Sequence, residues 1–138
     1  MAVSNSIIKT EYPKNPKQIL VADELAFTLG VLVGNTGLSA GSDGKKILKA
    51  GTPIAGDILA RNTAFKKATT TPGLEEGPDT TDAVGILLHD VDVTNGDANG
   101  TIVIFGFVDM LKLDTDVQTL IDDAVKSTLT KITFIKGQ

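Results

Sequence analysis

The stretch that decides the fold is residues 83–109, which read AVGILLHDVDVTNGDANGTIVIFGFVD. Two segments of alternating apolar residues surround a polar, glycine-bearing loop at residues 95–100, and this pattern predicts two β-strands joined as a hairpin. The apolar face of the first segment changes parity near His89, which predicts a β-bulge. Residues 102–108 are apolar on both faces, so we predict that both are covered. One cover would be the domain core, and the other could be a partner subunit.

Further strands are predicted towards the N-terminus. Residues 27–33 favour a strand, although residues 22–27 could also be interpreted as a short helix. Residues 45–54 predict a strand that ends at a Gly-Thr-Pro sequence, and residues 57–64 predict a short one. Residues 66–82 are rich in threonine, proline and glycine, which indicates an exposed loop within one domain.

After this β-rich region the apolar period changes to that of a helix. The residues with this spacing are Val117, Leu120, Ile121, Ala124 and Val125. We therefore predict one C-terminal helix over residues 116–127, with Thr115 and Gln118 as a capping box. A last strand is predicted over residues 131–135. The predicted fold is mainly β, a small β-barrel-like or β-tulip-like domain at residues 19–138, with one C-terminal helix.

Residues 1–18 are predicted to form an extended N-terminal arm. The stretch contains two prolines, which remove backbone donors and favour extended geometry in the preceding residue. Such a segment stabilises itself poorly and would order best on a partner. A frayed terminus is the alternative interpretation.

Composition limits the classes of function. The net charge of -4 and the absence of tryptophan disfavour direct nucleic-acid binding. The chain has no cysteine, which excludes a disulfide framework, a zinc finger and thiol catalysis. No apolar run has the length of a membrane span, and the N-terminus does not look like a secretory signal. We expect a protein made in the cytoplasm that does not enter membranes.

The candidate chemical sites favour structural roles. His89 and Asp90 are adjacent, but the chain has no nucleophile-elbow sequence to complete a triad. Residues 90–100 resemble a calcium loop, yet its sixth and twelfth positions are Asn95 and Thr101 instead of glycine and glutamate.

Two further groups of residues lack features that a catalytic or phosphate-binding site needs. Glu75 and Glu76 lie in the polar loop, where nothing fixes a catalytic geometry. The glycines of residues 34–44 lack the lysine of a phosphate-binding loop. The sequence therefore predicts that the protein is not an enzyme and uses no cofactor or metal.

Three motifs together resemble a known family. They are the A-G-T-P sequence of residues 50–53, the A-V-G-I-L sequence of residues 83–87, and the apolar strand of residues 102–108 that ends in G-F-V. Their order and spacing are similar to those of the head-decoration, or capsid cement, proteins of tailed phages, the lambda D-like group. The resemblance covers roughly the middle half of the chain. The predicted helix and the loop of residues 66–82 extend beyond that family's pattern.

The resemblance implies a structural virion protein, made in the host cytoplasm and located on the outer surface of the capsid. It implies a homotrimer that binds the major capsid protein at threefold and quasi-threefold sites of the mature head and stabilises the head against internal DNA pressure. It also implies that the arm binds the capsid, with Ile7, Ile8, Tyr12 and Pro13 as contact residues.

Two alternatives stay open. The same motifs resemble the capsid-anchoring domain of phage head fibres. A β-rich carbohydrate-binding or adhesion module would be a different class of protein. Sugar sites commonly need exposed aromatic rings, and here Tyr12 is accompanied only by five phenylalanines, which the apolar pattern predicts to be mostly buried.

Overall fold

The structure is a computed structural model that describes residues 18–136. Its strands are β1 (Leu20–Val21), β2 (Phe27–Val33), β3 (Ile47–Leu48), β4 (Pro53–Ala55), β5 (Lys66–Lys67), β6 (Thr70–Thr71), β7 (Thr80–Thr81), β8 (Ala83–Leu87), β9 (Val91–Asp92), β10 (Ala98–Asp109) and β11 (Ile132–Ile135). The helices are α1 (Thr115–Leu120) and α2 (Asp123–Thr128), and short 3₁₀ turns lie at Asp23–Leu25 and Met110–Lys112. The predicted arm lies outside the described residues, apart from Gln18, and stays a prediction.

The main sheet has seven strands and is organised around β10, which is twelve residues long. One side of β10 pairs with β2 and then β1, and both pairings are antiparallel. The other side pairs with β8 and then with β11, which runs parallel to β10. Strands β4 and β5 continue the sheet beyond β8. Two small ribbons, β3–β9 and β6–β7, lie outside it.

The predicted mainly β fold is confirmed, whereas the predicted barrel is not. Within residues 18–136 the sheets are open. The one link between the two margins of the main sheet is an isolated bridge from Val33 in β2 to Phe65, the residue before β5. A single bridge does not make a continuous ladder of strand pairs.

Both faces of β10 contribute to the core. Neighbouring strand residues point to opposite faces of a sheet, and a register shift between Val103 and Phe105 changes this alternation along β10. Val103 and Val108 belong to one apolar cluster, which also includes buried residues of α1 and α2. Ile102 belongs to a second cluster with residues of β2, β3 and β9 and with Phe65. The prediction that both faces are covered is confirmed at Ile102 and Val103, and residues of this same chain supply both covers.

The hairpin at residues 83–109 differs from the prediction. Strand β8 ends at Leu87, and β9 pairs with β3 outside the main sheet. The predicted bulge near His89 is therefore wrong, because the change of parity marks the point where the chain leaves one sheet for another. The turn after β9 is shorter than the predicted loop, and β10 begins at Ala98.

Two other strand predictions and one loop prediction need correction. Residues 45–54 contain the short β3 and the start of β4 instead of one strand, because Gly51 has a φ of 94° that interrupts the extended backbone. Residues 57–64 form turns, in which the Asp57 side chain accepts a hydrogen bond from Leu59 N. Residues 66–82 are mostly exposed, as predicted, but they contain β5 and the β6–β7 ribbon.

The predicted single helix is wrong, since the structure has two helices in that region. Asp122 lies in the break between α1 and α2. Its carboxylate accepts a hydrogen bond from Val125 N at 2.9 Å, and this bond caps the start of α2. The predicted capping box is not formed. Asp114 occupies the N-cap position of α1, and Gln118 Nε2 donates instead to the carbonyl of Leu113 at 2.9 Å.

Candidate interaction surface

The three motifs of the resemblance are neighbours in the main sheet. Pro53, which ends the A-G-T-P sequence and begins β4, pairs with Ile86 of β8. On the other side of β8, Leu87 pairs with Ile102 of β10. Three separate segments of the sequence thus form three adjacent strands, β4, β8 and β10.

The A-G-T-P turn is a packing site. Gly51 has a φ of 94°, a conformation that favours glycine. A Cβ atom added there would lie 2.5 Å from Leu113 Cδ2 and 3.0 Å from Val117 Cγ1, so these two buried side chains would have to shift. The turn and the C-terminal region are therefore in close contact at Gly51.

Hydrogen bonds hold the same turn against β8. Gly51 N donates to Leu87 O at 2.7 Å, and Leu87 N donates to Thr52 O at 2.9 Å. Thr52 is buried, and its hydroxyl donates to Lys49 O at 2.7 Å. Ala50 N donates to the Asp90 carboxylate at 2.7 Å. The polar atoms of the turn are used within the fold, which indicates a structural role.

An ion pair joins this region to α1. Lys49 Nζ lies 3.1 Å from Asp116 Oδ2 and 3.4 Å from Asp114 Oδ2. The hydrogen bond that Lys49 Nζ donates to the Asp116 carboxylate lowers the pKa of Asp116 and raises the pKa of Lys49. Because the groups are solvent-exposed, the pair contributes little to stability.

The structure places no triad at His89. Both His89 and Asp90 are exposed, and the Asp90 carboxylate accepts the hydrogen bond from Ala50 N. An aspartate that orients a catalytic histidine would instead accept a hydrogen bond from the imidazole. His89 lies in the connection between β8 and β9 instead of in a strand, and its structural role stays a prediction.

In the calcium-like run of residues 90–100, Asp92 stabilises the turn after β9. Asp92 Oδ1 accepts hydrogen bonds from Thr94 N at 2.9 Å and from Thr94 Oγ1 at 2.5 Å. The hydroxyl bond is the main reason that the pKa of Asp92 is lowered. Among residues 18–136, no group of three or more His, Asp or Glu side chains is arranged to hold a metal ion.

Another group of carboxylates lies near the β6–β7 ribbon and α2. Glu75 and Glu76 are exposed at the turn between β6 and β7. An open cleft of about 510 Å³ is lined by Asp79, Asp122 and Asp123, but Asp79 accepts a hydrogen bond from Gly73 N, and Asp122 caps α2. These contacts stabilise local backbone and do not form an acid–base pair.

An exposed apolar surface, which sequence reasoning missed, lies at the C-terminal half of β10. Phe27, Phe105 and Phe107 are 58%, 48% and 36% exposed, and we call them the phenylalanine patch. Phe105 is paired with Phe27 across β10 and β2. The expectation that the phenylalanines are mostly buried is wrong, because only Phe65 is fully enclosed among the five. The sequence feature that could have indicated this exposed surface is that residues 102–108 are apolar on both faces.

Charges of opposite sign lie on either side of the patch. The 3₁₀ turn between β1 and β2 carries the exposed Asp23 and Glu24, and Ala26 from the same connection packs against Gly106 of β10. On the other side of β10, Gly106 N donates to the carbonyl of Lys131, which is also exposed. Gly106 thus lies between an acidic flank and a basic one.

The predicted capsid contacts Ile7, Ile8, Tyr12 and Pro13 lie outside the described residues. Within the part of the chain that the structure describes, no helix is long and apolar enough to cross a membrane.

No protein-family model matches the chain, and no curated protein is significantly similar to it.

Proposed function

We propose that this protein is a trimeric capsid decoration, or cement, protein that binds the outer surface of the mature head of a tailed phage. It would occupy threefold and quasi-threefold sites on the major capsid protein and stabilise the head against internal DNA pressure. The observation that carries the proposal is the adjacency of β4, β8 and β10, which contain the three motifs of the resemblance.

The arrangement of the polar groups also supports a structural role. The A-G-T-P turn uses its polar atoms within the fold, and His89 has no orienting carboxylate in Asp90. In this proposal the protein binds without making or breaking bonds. A small barrel is the finer form of the fold that the resemblance implies, and the Val33–Phe65 bridge is the contact that would belong to its closure.

Multivalency explains how such a protein could bind tightly. Each subunit of a trimer that contacts the capsid raises the effective concentration for the next contact, so weak individual contacts add up to stable binding. Selective binding to the expanded head would stabilise that state by linkage. The arm, with Ile7, Ile8, Tyr12 and Pro13, would supply one of the contacts, for example by adding a strand to an exposed capsid sheet edge.

The test is binding of the purified chain to mature heads that lack a decoration protein, with the bound copies counted at saturation. We expect three copies at each threefold site and a higher temperature of DNA release from decorated heads. Failure to bind mature heads from every phage tested, including the one whose genome encodes the chain, would refute the proposal.

A second comparison locates the capsid contact. The chain without residues 1–18 and the triple variant I7S/I8S/Y12S are expected to lose binding, whereas the arm variant N5A/T10A should bind like the parent chain. If the shortened chain saturates the heads normally, the cement role stands and the contact belongs to the β-domain.

A further inference from the structure

We propose that the phenylalanine patch is the contact surface between copies of this chain. The inference rests on the proposed function for the number of copies, three, and on the structure for the surface. It assigns the subunit interface to Phe27, Phe105 and Phe107, with Asp23 and Glu24 on one margin and Lys131 on the other.

The patch is an uncovered continuation of the second apolar cluster. Leu29 of β2 and Ile104 of β10 are half-buried and pack against that cluster. The apolar surface then extends along the same two strands to Phe27 and Phe105, which are paired, and to Phe107. Among the described residues no strand or helix encloses this end, so three aromatic rings remain in contact with water.

The size of the patch fits the centre of a subunit interface. Taking about 200 Å² for each phenylalanine, the exposed fractions correspond to roughly 280 Å² of apolar surface on each copy. One partner in a standard interface buries about 800 Å². The patch would therefore form the apolar centre, and polar residues around it would supply the rest.

Charge complementarity favours a second copy as the occupant. The acidic and basic flanks lie at the same level of β10, on opposite sides of Gly106. When the patches of three copies converge on a threefold axis, the acidic flank of one copy can face the basic flank of the next. One surface thus carries both halves of the complementary pair, as self-association requires. In a trimer the same contact would repeat around the axis and close a ring.

The first measurement is the mass of the full chain by sedimentation equilibrium over a range of concentrations. We expect a mass three times the 14.4 kDa of the chain. The variant F27S/F105S should weaken association on the order of a hundredfold or more, since buried aromatic residues dominate interface energetics. The control variants L59S and L74S replace residues that are 92% and 88% exposed elsewhere, and they should associate like the parent. Circular dichroism verifies that each variant is folded.

The second measurement tests the flanks. K131E should weaken association about tenfold at low salt, and adding D23K and E24K to it should restore most of the loss, because the charges are then exchanged between the flanks. High salt should diminish both effects. A K131E variant that associates normally would overturn the charge argument.

Two outcomes overturn the whole inference. One is a folded F27S/F105S variant that keeps the mass of the parent, and the other is a parent chain that stays at 14.4 kDa up to millimolar concentration. If that monomer bound glycans through the patch, the adhesion alternative would replace the inference. Head binding is measured separately, so a chain that self-associates through the patch but binds no head would refute only the cement role.

Discussion

The two halves of β10 contain similar residues but differ in what surrounds them. In the first half, Ile102 and Val103 are fully buried, each in a different apolar cluster. In the second half, Phe105 and Phe107 are exposed, although Val108, directly after them, belongs to the first cluster. The comparison teaches that an apolar strand becomes core or exposed surface according to the elements that cover it.

The largest expected effect is in the covered half. Ile102→Ala should reduce the free energy of unfolding by about 3–4 kcal/mol, because it leaves a cavity in the second cluster. Denaturant unfolding at low protein concentration measures the loss. The matched control is Ile104→Ala on the same strand, where the residue is only half-buried and the loss should be smaller. Equal losses at the two positions would contradict the difference in cover.

A substitution at Gly51 should disturb the packing of the first apolar cluster, which contains Leu113 and Val117. Gly51→Ala should cost about 3 kcal/mol, because the new methyl group would meet Leu113 and Val117 and the backbone φ is unfavourable for alanine. Gly37→Ala is the matched control, since its φ of 83° is similar but nothing lies within 4 Å of the added Cβ. It should cost about 1 kcal/mol, from backbone strain alone. The same loss in both variants would show that the contact with Leu113 is not tight.

The exposed half should tolerate truncation when the protein is dilute. Phe105→Ala is expected to change the free energy of unfolding by less than about 1 kcal/mol, since the ring is 48% exposed. Phe65→Ala, which removes a buried ring, should cost about 3–5 kcal/mol in the same assay. A large loss at Phe105 under dilute conditions would mean that its ring supports the fold of the single chain.

The smallest expected effect is the pH dependence from the Lys49–Asp116 pair. The pKa of Asp116 is lowered in the folded state, so its contribution is present above the ordinary aspartate pKa and disappears as the pH falls through the folded value. The raised pKa of Lys49 gives the opposite dependence at high pH. Asp116→Asn should cost less than about 1 kcal/mol at neutral pH and flatten the acid side of the stability profile. High salt should reduce the difference, and an effect insensitive to both pH and salt would argue against an ionic origin.

Local patterns in the sequence predicted several elements well. The strand at residues 27–33 and the last strand were correctly placed, because β-branched and apolar residues dominate both. The C-terminal helical periodicity was also real, since Val117 and Val125 are both buried. The break between α1 and α2 was missed because Asp122 competes for a backbone N–H, and periodicity does not register such local bonds.

The candidate surface was less accessible to sequence reasoning. The predicted contacts Ile7, Ile8, Tyr12 and Pro13 remain predictions, because they lie outside the described residues. The phenylalanine patch was missed because a sequence does not distinguish an apolar residue that becomes buried from one that stays exposed. The same limit applies to the parity change near His89, which marks a change of sheet.

The sequence by itself determined the mainly β character, the strands at residues 27–33 and 132–135, the apolar strand at residues 102–108 and the helical C-terminal region, because these depend on the spacing of apolar residues within short segments. Only the tertiary structure decided that β11 runs parallel to β10, that the chain supplies both covers of Ile102 and Val103, and that Phe27, Phe105 and Phe107 remain exposed. Those features depend on contacts between segments far apart in the chain, and local spacing carries no information about which distant segment will pack against which face.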